Sequence, residues 1–188
     1  TGRIWDAVQA IRPSAQYIMR GLGDCPFPSV KLIKRAIEVM KVENSDAFGW
    51  ASPPFCYTVY GASEFPRTRA LWENLNKNAA NDEREHPDLW FHRHRDILNI
   101  TYHEPPQPIY FRPYRLEVDW KEDFELVRSI AKHFGEIPIL EDALMYLDSC
   151  DDAHINRRRI EETGLTVSYT QADRQMWWQA MVGKPIVC

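Results

Sequence analysis

Two aspartates stand where a chain of strands and helices can offer them to a cation. Asp24 lies in the loop Gly23-Asp24-Cys25-Pro26, and Asp119 closes the alternating stretch Arg115-Leu116-Glu117-Val118-Asp119. In open α/β sheets, ligands sit beyond the carboxyl ends of strands, and both carboxylates follow such ends. Mg2+ takes one or two carboxylates and fills its other positions with water and substrate phosphates, so this pair would suffice. Gly23 admits a close backbone approach there, and Pro26 stiffens the loop. The same residues have a plainer reading, with Asp24 as a turn former and Asp119 as a helix N-cap. They lie 119 − 24 = 95 residues apart, so only the fold can bring them together.

Other constellations carry less. His86, His92, His94 and His103 fall within 18 residues, and three imidazoles can hold Zn2+ with an open fourth position. Arg93 and Arg95 interleave with them, and unpaired surface histidines explain the cluster as well. Cys25 is a poor nucleophile beside Asp24, whose charge disfavours the thiolate. The pair Trp177-Trp178 fits packing better than a binding platform. Arg157-Arg158-Arg159, followed by Glu161-Glu162, reads as a solvated helix face.

The elements that must position these residues alternate along the chain. Ile4, Trp5 and Val8 form a helical stripe over 3–10, and 15–19 reads as a short buried strand. A loop rich in Gly and Pro spans 20–29. Ser29 then caps a helix over 30–42, with Val30, Ile33, Ile37 and Met40 on one face. Residues 54–60 read as a strand, and 66–79 as a helix carrying Leu71, Trp72 and Leu75. The stretch 115–119 reads as a strand and 121–134 as an amphipathic helix. Further helices are expected over 141–147, with Leu140, Leu144 and Leu147 on one face, then over 156–162 and 171–182. This grammar predicts one α/β domain over 1–188, a mostly parallel sheet flanked by helices.

Composition sets the outer limits. With 188 residues, 44% hydrophobic and 27% charged, the chain is one ordinary domain able to bury about 70% of its unfolded surface. Disorder, a collagen-like fibre and a disulfide miniprotein are excluded. No apolar run reaches the roughly 18 residues of a membrane span, and no signal peptide is expected. A net charge of −4 argues against a duplex nucleic-acid partner. Cys25, Cys56, Cys150 and Cys188 form no CxxC pair, so reduced thiols and a cytoplasmic location are expected, though spacing alone leaves a disulfide open.

Arg20-Gly-Leu-Gly-Asp-Cys-Pro-Phe27 resembles the metal-binding loop of cytidylyltransferases that activate acidic sugars, closest to the spore-coat polysaccharide branch and related to the KDO enzymes. Further landmarks arrive in that family's order. Glu64-Phe65 with Arg69-Ala70-Leu71 is similar to the segment before its mid-chain helix, and Arg84-Glu85-His86 to its Arg-Glu-His triplet. Tyr114-Arg115-Leu116-Glu117-Val118-Asp119 is similar to its second metal strand, followed by Glu122-Asp123-Phe124-Glu125. Leu140-Glu141-Asp142, Ile155-Asn156-Arg157 and Ile160-Glu161 resemble its C-terminal part.

The resemblance covers most of residues 3–164 and leaves 165–188 as a C-terminal extension. It implies a Rossmann-like, nucleotide-diphospho-sugar transferase fold and transfer of CMP from CTP to a sugar for surface polysaccharide. Mg2+ on Asp24 and Asp119 is implied, with Arg20 or Arg115 as anion contacts. Arg84, Glu85, His86 and Glu64 are implied on the substrate side, and a homodimer through 54–66 and 84–94. The family's glycine-rich nucleotide loop does not occur here, so the chain reads as the later two-thirds of such an enzyme. Ala62 stands where the family tends to have an acidic residue, and Trp120-Lys121 replaces its Thr-Pro. A non-catalytic truncated homologue, or a fragment that binds a sugar nucleotide or a protein, is the alternative.

Overall fold

The structure, a computed structural model, describes residues 2–50, 66–103 except 86, 88, 89, 91 and 92, and 114–156. The expected strand 54–60, the helices beyond residue 156, and Glu64, His86, His92, Cys56 and Cys188 lie outside the described residues. So do most of the expected dimer segment 54–66 and the extension 165–188. The chain divides into two compact units. One takes the described residues of 1–20, 31–49 and 65–102, the other those of 21–30, 50–64 and 103–188.

The first unit carries helix α1 (Gly2–Ile11), strand β1 (Tyr17–Ile18), most of helix α2 (Val30–Glu43) and strand β2 (Ala47–Trp50). Strand β3 (Arg67–Thr68), helices α3 (Arg69–Asn78) and α4 (Asn81–Glu85), and strand β4 (Ile100–His103) follow. The four strands are ordered β1-β3-β2-β4. The α/β class holds, but both described registers are antiparallel, where a mostly parallel sheet is expected. Tyr17 pairs with Thr68, and Ile18 and Ala47 both pair with Arg67. The crossover through α2 does make β1 and β2 run the same way. Strand β3 lies between them and runs opposite to both.

Strand β3 also displaces the expected start of helix 66–79. Thr68 is the N-cap, its Oγ1 accepting the Leu71 N–H at 3.3 Å, while Arg67 and Thr68 pair with strands on both sides. Leu71, Trp72 and Leu75 are buried as expected, with Ile18, Ala47, Ala79 and Trp90. The Trp72 indole donates to the Ile18 carbonyl at 3.2 Å, so this large ring is buried with its polar atom satisfied. Ile4, Trp5 and Val8 of α1 pack on the same cluster. Helix α2 keeps Met40 buried and Ile33 and Ile37 half-buried, as its expected face has them, and departs from that face at Val30. It buries Leu32, Ala36, Val39 and Met40, while Val30 is 56% exposed. The buried stripe at i, i+4, i+7 and i+8 runs through Ala36.

In the second unit, helix α5 (Lys121–Phe134) occupies the expected span and stops at Gly135, whose φ of 79° is the left-handed cap that glycine favours. It buries Leu126, Val127 and Ile130. Helix α6 (Leu140–Ser149) buries Leu140, Ala143, Leu144 and Leu147, extending the expected leucine face by one alanine. A short 3-10 turn, Asp151–His154, is tied to both helices through Asp152, which accepts from Ser129 and, at 2.8 Å, from the Tyr146 hydroxyl.

That knot gives the fold a pH signature. The hydrogen bond to Asp152, with burial adding to it, pushes the Tyr146 phenol up to about 12. The Ser129 hydroxyl first, and Tyr146 next, hold Asp152 below the usual carboxylate range. A raised phenol contributes stability below its unfolded value of about 10, and a lowered carboxyl contributes above its unfolded value of about 4. Tyr146→Phe is therefore expected to cost about 1 kcal/mol between those limits, shrinking as pH falls through the Asp152 titration. Urea unfolding at a series of pH values checks this, and a penalty that stays flat to pH 2 would contradict it.

Candidate metal centre

The second unit brings the two sequence-predicted aspartates together and adds a third carboxylate. One oxygen from each of Asp24, Glu117 and Asp119 lies within 4.8 Å of the others. Two Ca2+–O bonds of about 2.4 Å reach about 4.8 Å between oxygens and two Mg2+–O bonds of about 2.1 Å about 4.2 Å, so one hard cation can bridge the group, Mg2+ once the carboxylates draw slightly inward. Asp24 sits in a tight turn in which the Cys25 N–H donates to the Leu22 carbonyl at 3.3 Å. The Val118 N–H donates to the Asp24 carbonyl at 2.8 Å, fixing the loop against the 114–118 segment. That segment forms no regular strand, contrary to the expected strand 115–119; its described backbone tie is to this loop. It still runs past Asp24 with Glu117 and Asp119 two residues apart, the spacing that places extended-chain side chains on one side.

Two loop readings are corrected. A Cβ at Gly23 would meet nothing within 4 Å, so this glycine serves no close approach. The N-cap of α5 is Trp120 rather than Asp119, and its N–H is satisfied by Asp123 Oδ2 at 3.1 Å. Asp119 is thereby left for other work, and it accepts from Arg115.

Arg115 is surrounded by acids. Its side chain is 3% exposed, and Nε lies 3.2 Å from Oδ2 of Asp123, which is 1% exposed. Nη2 donates to Asp119 Oδ2, Nη1 lies 3.6 Å from Glu117 Oε2, and the guanidinium stacks 4.5 Å from the Trp120 ring centroid. Asn156 completes the arrangement, its Nδ2 donating to Asp123 Oδ1 at 2.8 Å and to the Arg115 carbonyl at 2.9 Å. Burial lowers the tendency of Arg115 to stay charged, but the Asp123 charge and the bonds to Asp123 and Asp119 outweigh it and hold its pKa above the ordinary value. Glu117 is pushed above the usual carboxylate range, first by burial and then by Asp119, with Asp24 adding and Arg115 opposing.

The residues fit a divalent cation on their own chemistry. The donors are all hard oxygens, and the one Arg115 cation meets three carboxylates, Glu117, Asp119 and Asp123. Asp24 Oδ1 is buried without a hydrogen-bond partner among the described residues, a costly state for an oxygen that nothing coordinates.

Arg84 donates to the Asn76 carbonyl at 2.9 Å and to the Ala79 carbonyl at 3.2 Å, closing the end of α3. Arg20 belongs to the first unit, as do Arg84 and Glu85. His94 stacks on Trp90 at 4.4 Å, with Nδ1 2.9 Å from the Trp90 carbonyl, and joins no metal cluster among the described residues. Cys150 is a free thiol. Sequence reasoning did not single out Glu117, Asp123 or Asn156. The i, i+2 spacing of Glu117 and Asp119 was the available signal for the first.

No protein-family model matches the chain. It is 27% identical over 141 residues to the spore coat polysaccharide biosynthesis protein SpsF of Bacillus subtilis, covering 72% of this chain and 55% of that protein. It is 28% identical over 127 residues to an uncharacterized protein of Methanocaldococcus jannaschii, covering 67% of this chain and 50% of that one. The chain thus spans about half the length of the curated relatives it matches. A cytidylyltransferase structure from Leptospira borgpetersenii serovar Hardjo-bovis superposes with a TM-score of 0.66 at 19% identity, over 82% of this chain and 64% of that one. No helix among the described residues is long and apolar enough to cross a membrane. The chain has a cytidylyltransferase-like fold and is similar in sequence to SpsF, in line with the resemblance its motifs carry.

Proposed function

We propose that this chain supplies the metal and sugar side of a nucleotidyl transfer that moves CMP from CTP onto a sugar used for surface polysaccharide. The observation that carries this reading is the convergence of Asp24, Glu117 and Asp119 within 4.8 Å. Kinship with a spore coat polysaccharide biosynthesis protein and a cytidylyltransferase-like fold support it. In this reaction a sugar oxygen bonds to the α-phosphorus, the bond to the β-phosphate bridge breaks, and pyrophosphate departs. The chain's own contribution is to hold three carboxylates in place and to keep Arg115 among them. Mg2+ bound there would neutralise phosphate charge that develops in the transition state. Arg115, buried among acids, is placed to hold carboxylates rather than to meet a phosphate, whereas Arg20 keeps the role of anion contact in this reading. The proposal includes a homodimer, which sedimentation velocity would report as a species of twice the 22.1 kDa chain mass.

Calorimetric titration of the chain with CTP and Mg2+, beside Asp24→Asn, tests the reading. The expected result is metal-dependent heat with the wild type and none with the variant, followed by pyrophosphate release when candidate sugars are added. No heat with either would overturn the chain as a self-sufficient cytidylyltransferase.

A further inference from the structure

Resting on the reading of Asp24, Glu117 and Asp119 as cation ligands, we infer that Arg115 is the positioning residue of this centre, holding Glu117 and Asp119 in the arrangement that meets Asp24. The guanidinium works in three directions at once. Nε is anchored on Asp123 at 3.2 Å, Nη2 bonds Asp119, and Nη1 faces Glu117 at 3.6 Å. It meets Oδ2 of Asp119 and Oε2 of Glu117. Its own place is fixed from behind. Asn156 grips both Asp123 and the Arg115 carbonyl, and the Trp120 ring lies 4.5 Å from the guanidinium.

Without this fork, two charges of one sign on neighbouring positions of an extended segment would repel and turn toward solvent. A lysine could carry the charge but not the geometry, because an ammonium cannot span Asp123 and Asp119 with a fixed planar fork. Positioning and mere neutralisation therefore predict opposite results. If Arg115 only occupied the cation's place as a counter-ion, weakening it would tighten metal binding. If it positions the ligands, weakening it loosens metal binding.

The test is Mn2+ binding to the full chain, followed by electron paramagnetic resonance and water-proton relaxation, with circular dichroism as the check on folding. Arg115→Lys is expected to bind Mn2+ at least about 10-fold more weakly, as outer partners of metal ligands do when changed. The bound ion should also gain a coordinated water where a carboxylate has let go, a change that a purely structural role would not produce. Trp120→Ala, at a partly exposed ring, is expected to weaken binding about 2- to 5-fold. Unchanged or tighter binding in Arg115→Lys with the same water count overturns the inference while leaving the metal centre standing. Should Arg115→Lys fail to fold, unchanged affinity in Trp120→Ala overturns it instead. A wild-type chain that binds no Mn2+ sinks the metal reading itself, and this inference with it.

Discussion

Asp123→Ala is expected to lower the unfolding free energy by about 3–5 kcal/mol, the range for removing one partner of a buried ion pair. The carboxylate is 1% exposed and meets an Arg115 side chain that is 3% exposed. It is also the acceptor for the backbone N–H groups of Asp119 and Trp120 at 3.1 Å, so its loss strands two donors at the start of α5. Asn156 Nδ2 would lose its 2.8 Å acceptor as well. Arg115 keeps Asp119 and Glu117, which places the cost toward the lower end of the range. Asp123→Asn retains an acceptor for the helix start and should cost about half as much, separating the capping share from the ionic share. Urea unfolding of both variants reads the difference. If Asp123→Ala shifts the midpoint no more than a surface substitution does, the network is not what fixes this end of the helix.

The parts of this arrangement that were legible in the sequence are those written in local spacing. The amphipathic run 121–134 and the leucines at 140, 144 and 147 announce their helices because a 3.6-residue period is a property of neighbours. Asp24 and Asp119 are legible as a pair from their places after the expected strands, and the resemblance implies the same pair. Glu117 was quoted in a motif yet given no role, because a carboxylate in an alternating stretch can face either side until its partners are known. Asp123 and Asn156 lie 156 − 123 = 33 residues apart, and nothing local says that an amide will reach back to a helix start. Short strands were the other weak point. Arg67 and Thr68 read as the beginning of a helix because two residues carry no period, and only pairing with Ile18 and Ala47 makes them a strand. The face of α2 is legible only in part: Met40 is buried as its period predicts, but the buried stripe also takes in Ala36 and leaves Val30 exposed.

Glu117→Gln is expected to reverse the order of thermal stability with and without a divalent cation, which ties the candidate centre to a measurement independent of turnover. In the metal-free chain, burial and the charges of Asp119 and Asp24 work against the Glu117 carboxylate, while Arg115 only partly offsets them. An uncharged amide of the same shape relieves that repulsion, and a gain of about 0.5–2 kcal/mol is in the range found where function has been kept at the expense of stability. With Mg2+ or Mn2+ at 100 times the wild-type Kd, the wild type gains about 2.7 kcal/mol, or roughly 5–10 °C in Tm for a chain of this size. Loss of one ligand carboxylate, at about 100-fold in affinity, leaves the variant a gain of only about 0.4 kcal/mol under the same conditions. The two melting curves should therefore cross, with the variant above the wild type in chelator and below it with the cation. Glu38→Gln, at an exposed helix position whose partner is Arg35, is the control and should leave both curves where they are. If Glu117→Gln instead melts above the wild type by the same margin in both buffers, the three carboxylates are a strained surface cluster and the cation binds somewhere else.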